Sequence, residues 1–226
     1  MSILMANKKI FILKLLFIPI VFLCYSCREN KPKQIVATRP NPYPVKDAIQ
    51  KGIDSSKLLL KNGDVVFRRG NDVISHLFSE MNTQDKSFSH CGIAFEENGK
   101  WFVFHSIGGE DNPDEKLRKE PFENFITPKD NTGFGICDFS FTSHETQLLK
   151  FIVDSLYKKE IPFDMQFDLK TNDKLYCAEM VAKAIQLTLK NDSFFSIHTI
   201  NGFQFYSTDN IFTQEKAKLI CKIDYK

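Results

Sequence analysis

The chain has 226 residues, a length that suits one sizeable domain with its own hydrophobic core. Its composition, 42% hydrophobic and 26% charged, is that of an ordinary globular protein. The formal net charge is only +2, and no basic patch is interleaved with aromatic residues, which argues against a nucleic-acid partner.

The first 26 residues have the organisation of an export signal. A short basic start is followed by an apolar run over residues 10–25, which is too short and too interrupted for a membrane span. A small residue then precedes Cys27, and this ending resembles that of a bacterial lipoprotein signal, which would make Cys27 the lipidated residue. Cys24 is a second candidate, and a plain cleaved signal or an uncleaved anchor remains an alternative.

Residues 27–46 are polar and rich in proline, so we expect them to form an extended tether. The folded domain is then predicted over residues 47–226. Together these features predict a protein of the cell envelope that is anchored by lipid to a bacterial membrane and faces the periplasm or the cell surface.

Helical and strand patterns alternate along the predicted domain. Helical spacing of apolar residues predicts helices over 47–60, over 71–81 with Asn71 as N-cap, over 142–157 behind a Thr142–Glu145 capping box, and over 175–189, with a helical turn capped by Ser207. Strands are predicted after Asp64, over 89–105 as a hairpin, over 134–139 and over 218–223. Residues 108–133 are loop-rich, and we expect them to form an excursion beside the hairpin.

The predicted hairpin places two histidines on one face of a sheet. Asn98-Gly99 is typical of a two-residue type I′ turn, and counting outward from it pairs Ile93 with Phe104 on the core face. His90 and His105 then lie as diagonal neighbours on the other face, because side chains alternate with period two. Gly92 faces His105 and leaves room for that approach. A lone histidine here would most simply be a surface residue, but the shared face favours a site.

Cys177 is predicted at the N-terminus of a helix. The positive end of the helix dipole and the unsatisfied N–H groups there lower the pKa of a thiol and favour the nucleophilic thiolate. A lone cysteine is more often a small buried residue, yet a cysteine at a helix start together with two histidines on one sheet face favours catalysis. The other cysteines of the domain, Cys91, Cys137 and Cys221, form no CxxC pair and no metal-ligand spacing, and one disulfide among them stays open.

Several segments resemble the YiiX-like branch of the NlpC-type cysteine hydrolases. The resemblance extends from about Leu59 to the C-terminus, and its most specific part is the order of a histidine followed by Tyr-Cys-x-Glu. The segments that carry it are Asn62-Gly-Asp-Val-Val-Phe67, Ser89-His-Cys-Gly-Ile93, Phe104-His105, Ile161-Pro-Phe-Asp164 and Tyr176-Cys-Ala-Glu-Met-Val181. The resemblance implies an α+β fold of the circularly permuted papain-like type, in which an antiparallel sheet or small barrel packs against helices.

The resemblance also implies roles for single residues. Cys177 would be the nucleophile and His90 the general base, with His105 at the third position, where family members often have a carboxylate or another polar group. The backbone N–H of Cys177 would form part of the oxyanion hole, and Tyr176 is a second candidate for it. Three acidic residues recur in the family's pattern and would either hold turns or contact substrate: Asp64, Asp164 and Glu179. No metal or organic cofactor is required.

Three classes of function remain open at this stage. We expect an envelope-anchored cysteine hydrolase that cleaves an amide bond in cell-wall peptides, such as peptidoglycan fragments, through a Cys-His-His triad and a thioester acyl-enzyme. An acyl-lipid hydrolase or acyltransferase of the same fold is the first alternative, and Phe-lined loops near the site would favour it. A binding lipoprotein without catalysis is the second alternative.

Overall fold

A computed structural model of the chain describes residues 45–108, 112 and 115–225. The predicted signal, Cys24, Cys27 and most of the predicted tether lie outside these residues. The helices are α1 (Val45–Lys57), α2 (Val73–Glu80), α3 (Phe122–Phe125), α4 (Ser143–Lys158), α5 (Cys177–Leu189) and α6 (Thr208–Phe212). The strands are β1 (Val65–Gly70), β2 (His90–Glu97), β3 (Lys100–His105), β4 (Arg118–Pro121), β5 (Asn131–Asp138), β6 (His198–Ile200), β7 (Phe203–Phe205) and β8 (Lys218–Asp224).

One antiparallel sheet organises the described part of the chain. Its six strands follow the order β4-β3-β2-β1-β5-β8, while β6 and β7 form a separate two-stranded hairpin. Among the described residues β4 and β8 are open edges, so the sheet does not close into the small barrel that was one of the two expected forms. The α+β architecture itself is confirmed.

The hairpin of β2 and β3 has the predicted register. Asn98 and Gly99 have φ values of 53° and 75°, as a type I′ turn requires. Pairing extends from Glu97 opposite Lys100 to Ile93 opposite Phe104. His90 and His105 therefore share a face, as the alternation of side chains predicts.

Both faces of the sheet are buried, by different helices. On one face, residues such as Phe67, Ile93 and Phe104 pack with α4 and α5, whose Val153 and Val181 are fully buried. The opposite face packs against α1 and α3 through a second cluster: Ile53, Val66, Ala94, Val103, Phe122, Phe125 and Phe134. The predicted capping box of Thr142 and Glu145 begins α4, and it is confirmed.

α2 is a helix as predicted, but two details differ. Its N-cap is Asp72, whose carboxylate accepts from the Ser75 N–H at 2.8 Å, whereas the Asn71 amide donates to a carbonyl of the neighbouring loop. Its apolar residues are largely exposed, with 74% of Val73 and 57% each of Ile74 and Leu77 accessible. Periodicity predicts a helix but not which element covers its apolar face.

The described residues between 115 and 133 contain more regular structure than the loop-rich excursion we predicted over 108–133. They contain β4 and α3, and β5 begins at Asn131. Arg-Lys-Glu-Pro has no alternation of apolar residues and ends in proline, so nothing local marks it as a strand. Pairing with β3 determines its conformation, with Val103 opposite Glu120 and His105 opposite Arg118.

Candidate active site

Cys177 is the first residue of α5, as predicted, and it lines a cavity of about 670 Å³. The Tyr176 N–H, at the N-cap position, donates to the Glu179 carboxylate at 3.3 Å, which helps to begin the helix there. Cys177 is a partly exposed residue, in contrast to Cys91, which is fully buried on the core face as the hairpin count predicts. The thiol is thus fixed at a helix N-terminus with access to the cavity.

The surroundings of Cys177 favour its thiolate. The pKa of the thiol is lowered by a hydrogen bond from the Cys91 thiol, by the N–H groups of Ala178 and Cys91, and by the charge of Arg68, which together outweigh burial. Burial raises the pKa of Cys91. Of the two thiols, Cys177 is therefore the nucleophilic one.

His90 and His105 are hydrogen-bonded to each other. His90 Nε2 lies 2.9 Å from His105 Nδ1, with the two rings almost perpendicular at 88°. His90 lines the cavity with Cys177, while His105 is fully buried behind it. The bond at Nε2 leaves Nδ1 of His90 as the ring nitrogen that can exchange a proton with a group in the cavity.

Gly92 permits this approach of the two histidines. A Cβ atom at this position would lie 2.7 Å from the Phe104 carbonyl oxygen and 2.8 Å from the His105 Cβ. Both distances are below those that real side chains show. The predicted role of this glycine in giving His105 room is confirmed.

Glu120 completes the arrangement and was not predicted. Its carboxylate oxygen Oε1 lies 2.7 Å from His105 Nε2, so both nitrogens of His105 are engaged. Glu120 belongs to β4, and because that strand was not foreseen, no local signal in the sequence identified it.

Arg68 is the second residue that sequence reasoning missed. It lies opposite His90 in the pairing of β1 with β2, and its guanidinium stacks over Phe125 at 4.6 Å and donates to the Phe125 carbonyl at 3.1 Å. Alternation along β1 places it on the face of Val66, and this signal was available. Arg68 lines the cavity and supplies a positive charge beside Cys177.

Both histidines are held in the neutral form. Burial, then the charge of Arg68, lowers the pKa of His90 well below its usual value. Burial also lowers the pKa of His105, although the hydrogen bond to Glu120 opposes the change. A neutral imidazole can accept a proton, as a general base must.

The other predicted site residues lie around the cavity or away from it. Tyr176 lines it, but its hydroxyl accepts from the Tyr206 N–H at 2.6 Å, and burial raises its pKa. Asp164 accepts from the N–H groups of Gln166 and Asp168 and holds its loop. These contacts are structural.

Glu179 and Asp64 also make structural contacts. Fully buried Glu179 pairs with Lys183 at 2.7 Å, and Asp64 accepts from the Lys61 N–H at 2.8 Å at the opposite end of the sheet. Burial raises the pKa of each carboxyl to about 7. None of the three acidic residues that recur in the family's pattern lines the cavity.

The cavity has an apolar and a polar wall. The polar wall includes Arg68, Asp72, Glu115 and Arg118. The apolar wall is formed by α2 and the loop before α5: Ile74, Phe78, Met81, Phe163, Met165 and Phe167. The exposed face of α2 continues from this wall onto the surface.

The described residues contain no group of three or more His, Cys, Asp or Glu side chains placed to hold a metal ion. Cys91, Cys137, Cys177 and Cys221 are all free, so the disulfide left open by the sequence is not formed. Of the helices in the described ranges, none has both the length and the apolar character needed to cross a membrane.

Comparisons with known proteins identify the family and the fold. The model of the permuted papain-like amidase enzymes, YaeF/YiiX, C92 family, matches residues 59–208. The fold is similar to the crystal structure of the metalloprotein yiiX from Escherichia coli O157:H7, with a TM-score of 0.59, 17% identity, and coverage of 72% of this chain and 97% of that one. No curated protein matches.

The matched region includes β1, the hairpin with both histidines, and α5 with Cys177. It spans more than half of the chain, and the similar structure has the same fold at low identity. The predicted permuted papain-like fold is therefore confirmed, and so is the assignment to a class of cysteine hydrolases of the amidase type. The chain belongs to the C92 family of permuted papain-like amidases.

Proposed function

We propose that this protein is an envelope-anchored cysteine amidase that cleaves an amide bond in cell-wall peptides through Cys177, His90 and His105. The observation that carries the proposal is the shared cavity: the helix-start thiol and the ring of His90 line it together, and His105 holds that ring from behind. Family membership supports an amide, peptide-like substrate.

In this mechanism His90 takes the proton of the Cys177 thiol at Nδ1, and the resulting thiolate attacks the carbonyl carbon of the amide to form a tetrahedral intermediate. The backbone N–H of Cys177, at the helix N-terminus, is directed at the developing oxyanion. His90 then delivers this proton to the leaving amine, and the C–N bond breaks to give a thioester. Water, deprotonated by His90, then hydrolyses the thioester. His105 orients His90 throughout.

A screen of the purified protein tests this proposal. Muropeptides and synthetic N-acyl amides are incubated with the wild type, with Cys177→Ala and with His90→Ala, and the released amine is quantified. We expect turnover of at least one peptide amide by the wild type, with an acyl adduct on Cys177 detected by mass spectrometry after acid quenching. Turnover that survives in Cys177→Ala would exclude this nucleophile.

The apolar wall of the cavity favours a second candidate, an acyl-lipid hydrolase or acyltransferase. Phe78, Phe163 and Phe167 offer a surface suited to an alkyl chain more than to a polar peptide. The same screen separates the two, because N-acyl amides or lipid esters with long chains would then be cleaved faster than muropeptides.

The envelope location rests on the N-terminal sequence. Lipidated Cys27 would place the domain, through the proline-rich tether, where cell-wall peptides occur. We expect the wild type in the detergent phase after fractionation, and Cys27→Ser either released or unprocessed. Radiolabelled fatty acid that remains on Cys27→Ser but disappears from Cys24→Ser would assign the anchor to Cys24.

A further inference from the structure

Three side chains form a continuous chain of hydrogen bonds that leads away from the cavity. His90 Nε2 lies 2.9 Å from His105 Nδ1, and His105 Nε2 lies 2.7 Å from a Glu120 carboxylate oxygen. His105 is fully buried, His90 is 9% exposed, and the Glu120 side chain is 23% exposed. Glu120 touches neither the thiol nor the cavity.

We infer that Glu120 is a positioning residue, which fixes the tautomers of both histidines so that His90 presents a lone pair at Nδ1. The inference rests on the proposed roles of Cys177 and His90. It assigns to β4, a strand unmarked in the sequence, a part in preparing the general base.

The hydrogen-bond donors and acceptors of the three side chains determine the tautomers of both histidines. An ionised carboxylate only accepts hydrogen bonds, so His105 must carry its proton on Nε2. A neutral imidazole has one N–H, and Nδ1 of His105 is therefore an acceptor. His90 must then donate from Nε2, which leaves its Nδ1 without a proton. The charge of Glu120 thus determines, through His105, that Nδ1 of His90 carries no proton.

The two histidines alone would allow the opposite arrangement. With a proton on Nδ1, His105 would donate to Nε2 of His90, and the His90 proton would move to Nδ1. That tautomer cannot accept a proton from Cys177. Glu120 excludes this arrangement of protons. The Glu120 carboxylate and the lone pair of His105 Nε2 would then face each other without a proton between them.

The charge states of the three groups agree with this scheme. Burial opposes ionisation of Glu120, but the hydrogen bond from His105 and the charges of Arg68 and Arg118 lower its pKa below the usual value. Burial lowers the pKa of both histidines and keeps them neutral. When His90 takes the thiol proton, the same bonds persist, and the negative charge of Glu120 stabilises the imidazolium through His105.

Nitrogen-15 NMR of the histidine rings tests the tautomers in the wild-type protein without any substrate. We expect His90 and His105 both to carry the proton on Nε2 near pH 7. A proton on Nδ1 of either ring would overturn the inference. Because this measurement needs no turnover, its outcome is independent of whether the proposed substrate is right.

The second test replaces Glu120 with glutamine, whose amide can donate or accept and carries no charge. The control is Glu123→Gln, three residues further along, where the carboxylate pairs with Lys57 at 2.5 Å and does not contact the histidines. Glu120→Gln should show a mixture of His90 tautomers, and its Cys177 alkylation by iodoacetamide should shift to higher pH. Glu123→Gln should retain the wild-type spectrum and profile.

Once a substrate is known, kcat of Glu120→Gln should fall roughly 10- to 100-fold with KM nearly unchanged, a smaller loss than at the third member of a triad. Glu120→Asp should recover part of the activity because it retains the charge. A Glu120→Gln protein with wild-type tautomers and a wild-type alkylation profile would show that Glu120 has only a structural role.

Discussion

The two ends of the central sheet both bury ionisable side chains, and they use them differently. At the end that contains His90, side chains bond to one another: His90 to His105, and His105 to Glu120. At the end that contains Asp64, carboxylates bond to backbone N–H groups and to a lysine. Asp64 accepts from the Lys61 N–H, and Asp138 pairs with the Lys61 ammonium at 2.6 Å.

The difference separates residues that the fold needs from residues that chemistry needs. Asp64 accepts a turn N–H and, with Asp138, lines a separate pocket that contains neither Cys177 nor a histidine. At the His90 end, His90 and Cys177 both line the main cavity. Membership of a family motif therefore does not distinguish the two kinds of residue, but their hydrogen-bond partners do. The experiments below test this division. Substitutions at the His90 end should affect activity, and substitution of Asp64 should affect stability.

The largest effects are expected for Cys177→Ala and His90→Ala. Each should lower kcat by roughly 10⁴-fold or more, because loss of a nucleophile or its base removes the covalent route. The melting temperature of Cys177→Ala should stay near that of the wild type, whereas His90 is buried and bonded to His105, so turnover of His90→Ala is measured below its own melting transition. Substantial remaining turnover in either variant would show that another residue performs the role assigned to the one replaced.

His105→Ala should cost between about 10-fold and 10⁴-fold in kcat, since the base remains but loses its orientation. His105→Asn should retain more activity, because its amide offers an acceptor to His90 Nε2 without adding a second charge beside Glu120. Turnover and melting temperature are measured on the same variants. A large thermal loss with normal specific activity would falsify the assignment of His105 to the site.

At the other end of the sheet, Asp64→Asn should change stability and spare activity. The folded carboxyl has a pKa of about 7 against 3.8 in the reference state, so the folded protein binds the extra proton between these values. Stability therefore falls as pH rises from about 4 to 7, by at most about 4 kcal/mol from this group. The variant should show a smaller decrease.

Urea unfolding at pH 5 and pH 8 measures this change, and turnover is the control. The pKa of buried Glu179 is also raised to about 7, so Asp64→Asn should retain part of the decrease in stability with rising pH. If the pH dependence of stability is the same in Asp64→Asn as in the wild type, a group other than Asp64 binds the extra proton. Loss of turnover with unchanged stability would place Asp64 in the site after all.

The smallest expected effect concerns the rate at which the Cys177 sulfur is alkylated. Iodoacetamide should alkylate Cys177 at pH 7 faster than Cys221, because the pKa of Cys177 is lowered and that of Cys221 is raised. Both cysteines are partly exposed residues, which makes Cys221 the control. Burial raises the pKa of Cys221, and that of Cys137 to about 12. Equal rates at Cys177 and Cys221 would contradict the thiolate assignment.

Sequence reasoning succeeded where the signal was local. Asn98-Gly99 determines the turn and hence the register, and the register predicts that His90 and His105 share a face. The start of α5 at Cys177 follows equally from its neighbours. These features need only a few residues of context, which is why one sequence suffices to predict them.

It failed where distant pairing decides. β4 is a strand because β3 offers it hydrogen bonds, so neither the strand nor Glu120 could be predicted from residues 118–121 alone. The apolar residues of α2 indicate a helix, but the face that stays exposed depends on which elements pack around it. Arg68 is a mixed case, because alternation along β1 indicates its face, but its position opposite His90 depends on the pairing of β1 with β2.

Gly92 has a consequence for protein design. The bond between the two imidazoles requires the strands to approach so closely that only a hydrogen atom fits at position 92. A designer who transplants the histidine pair onto another hairpin must therefore carry the glycine with it. Grafting the two rings onto strands with an alanine at that position would yield two histidines in sequence but no contact between them.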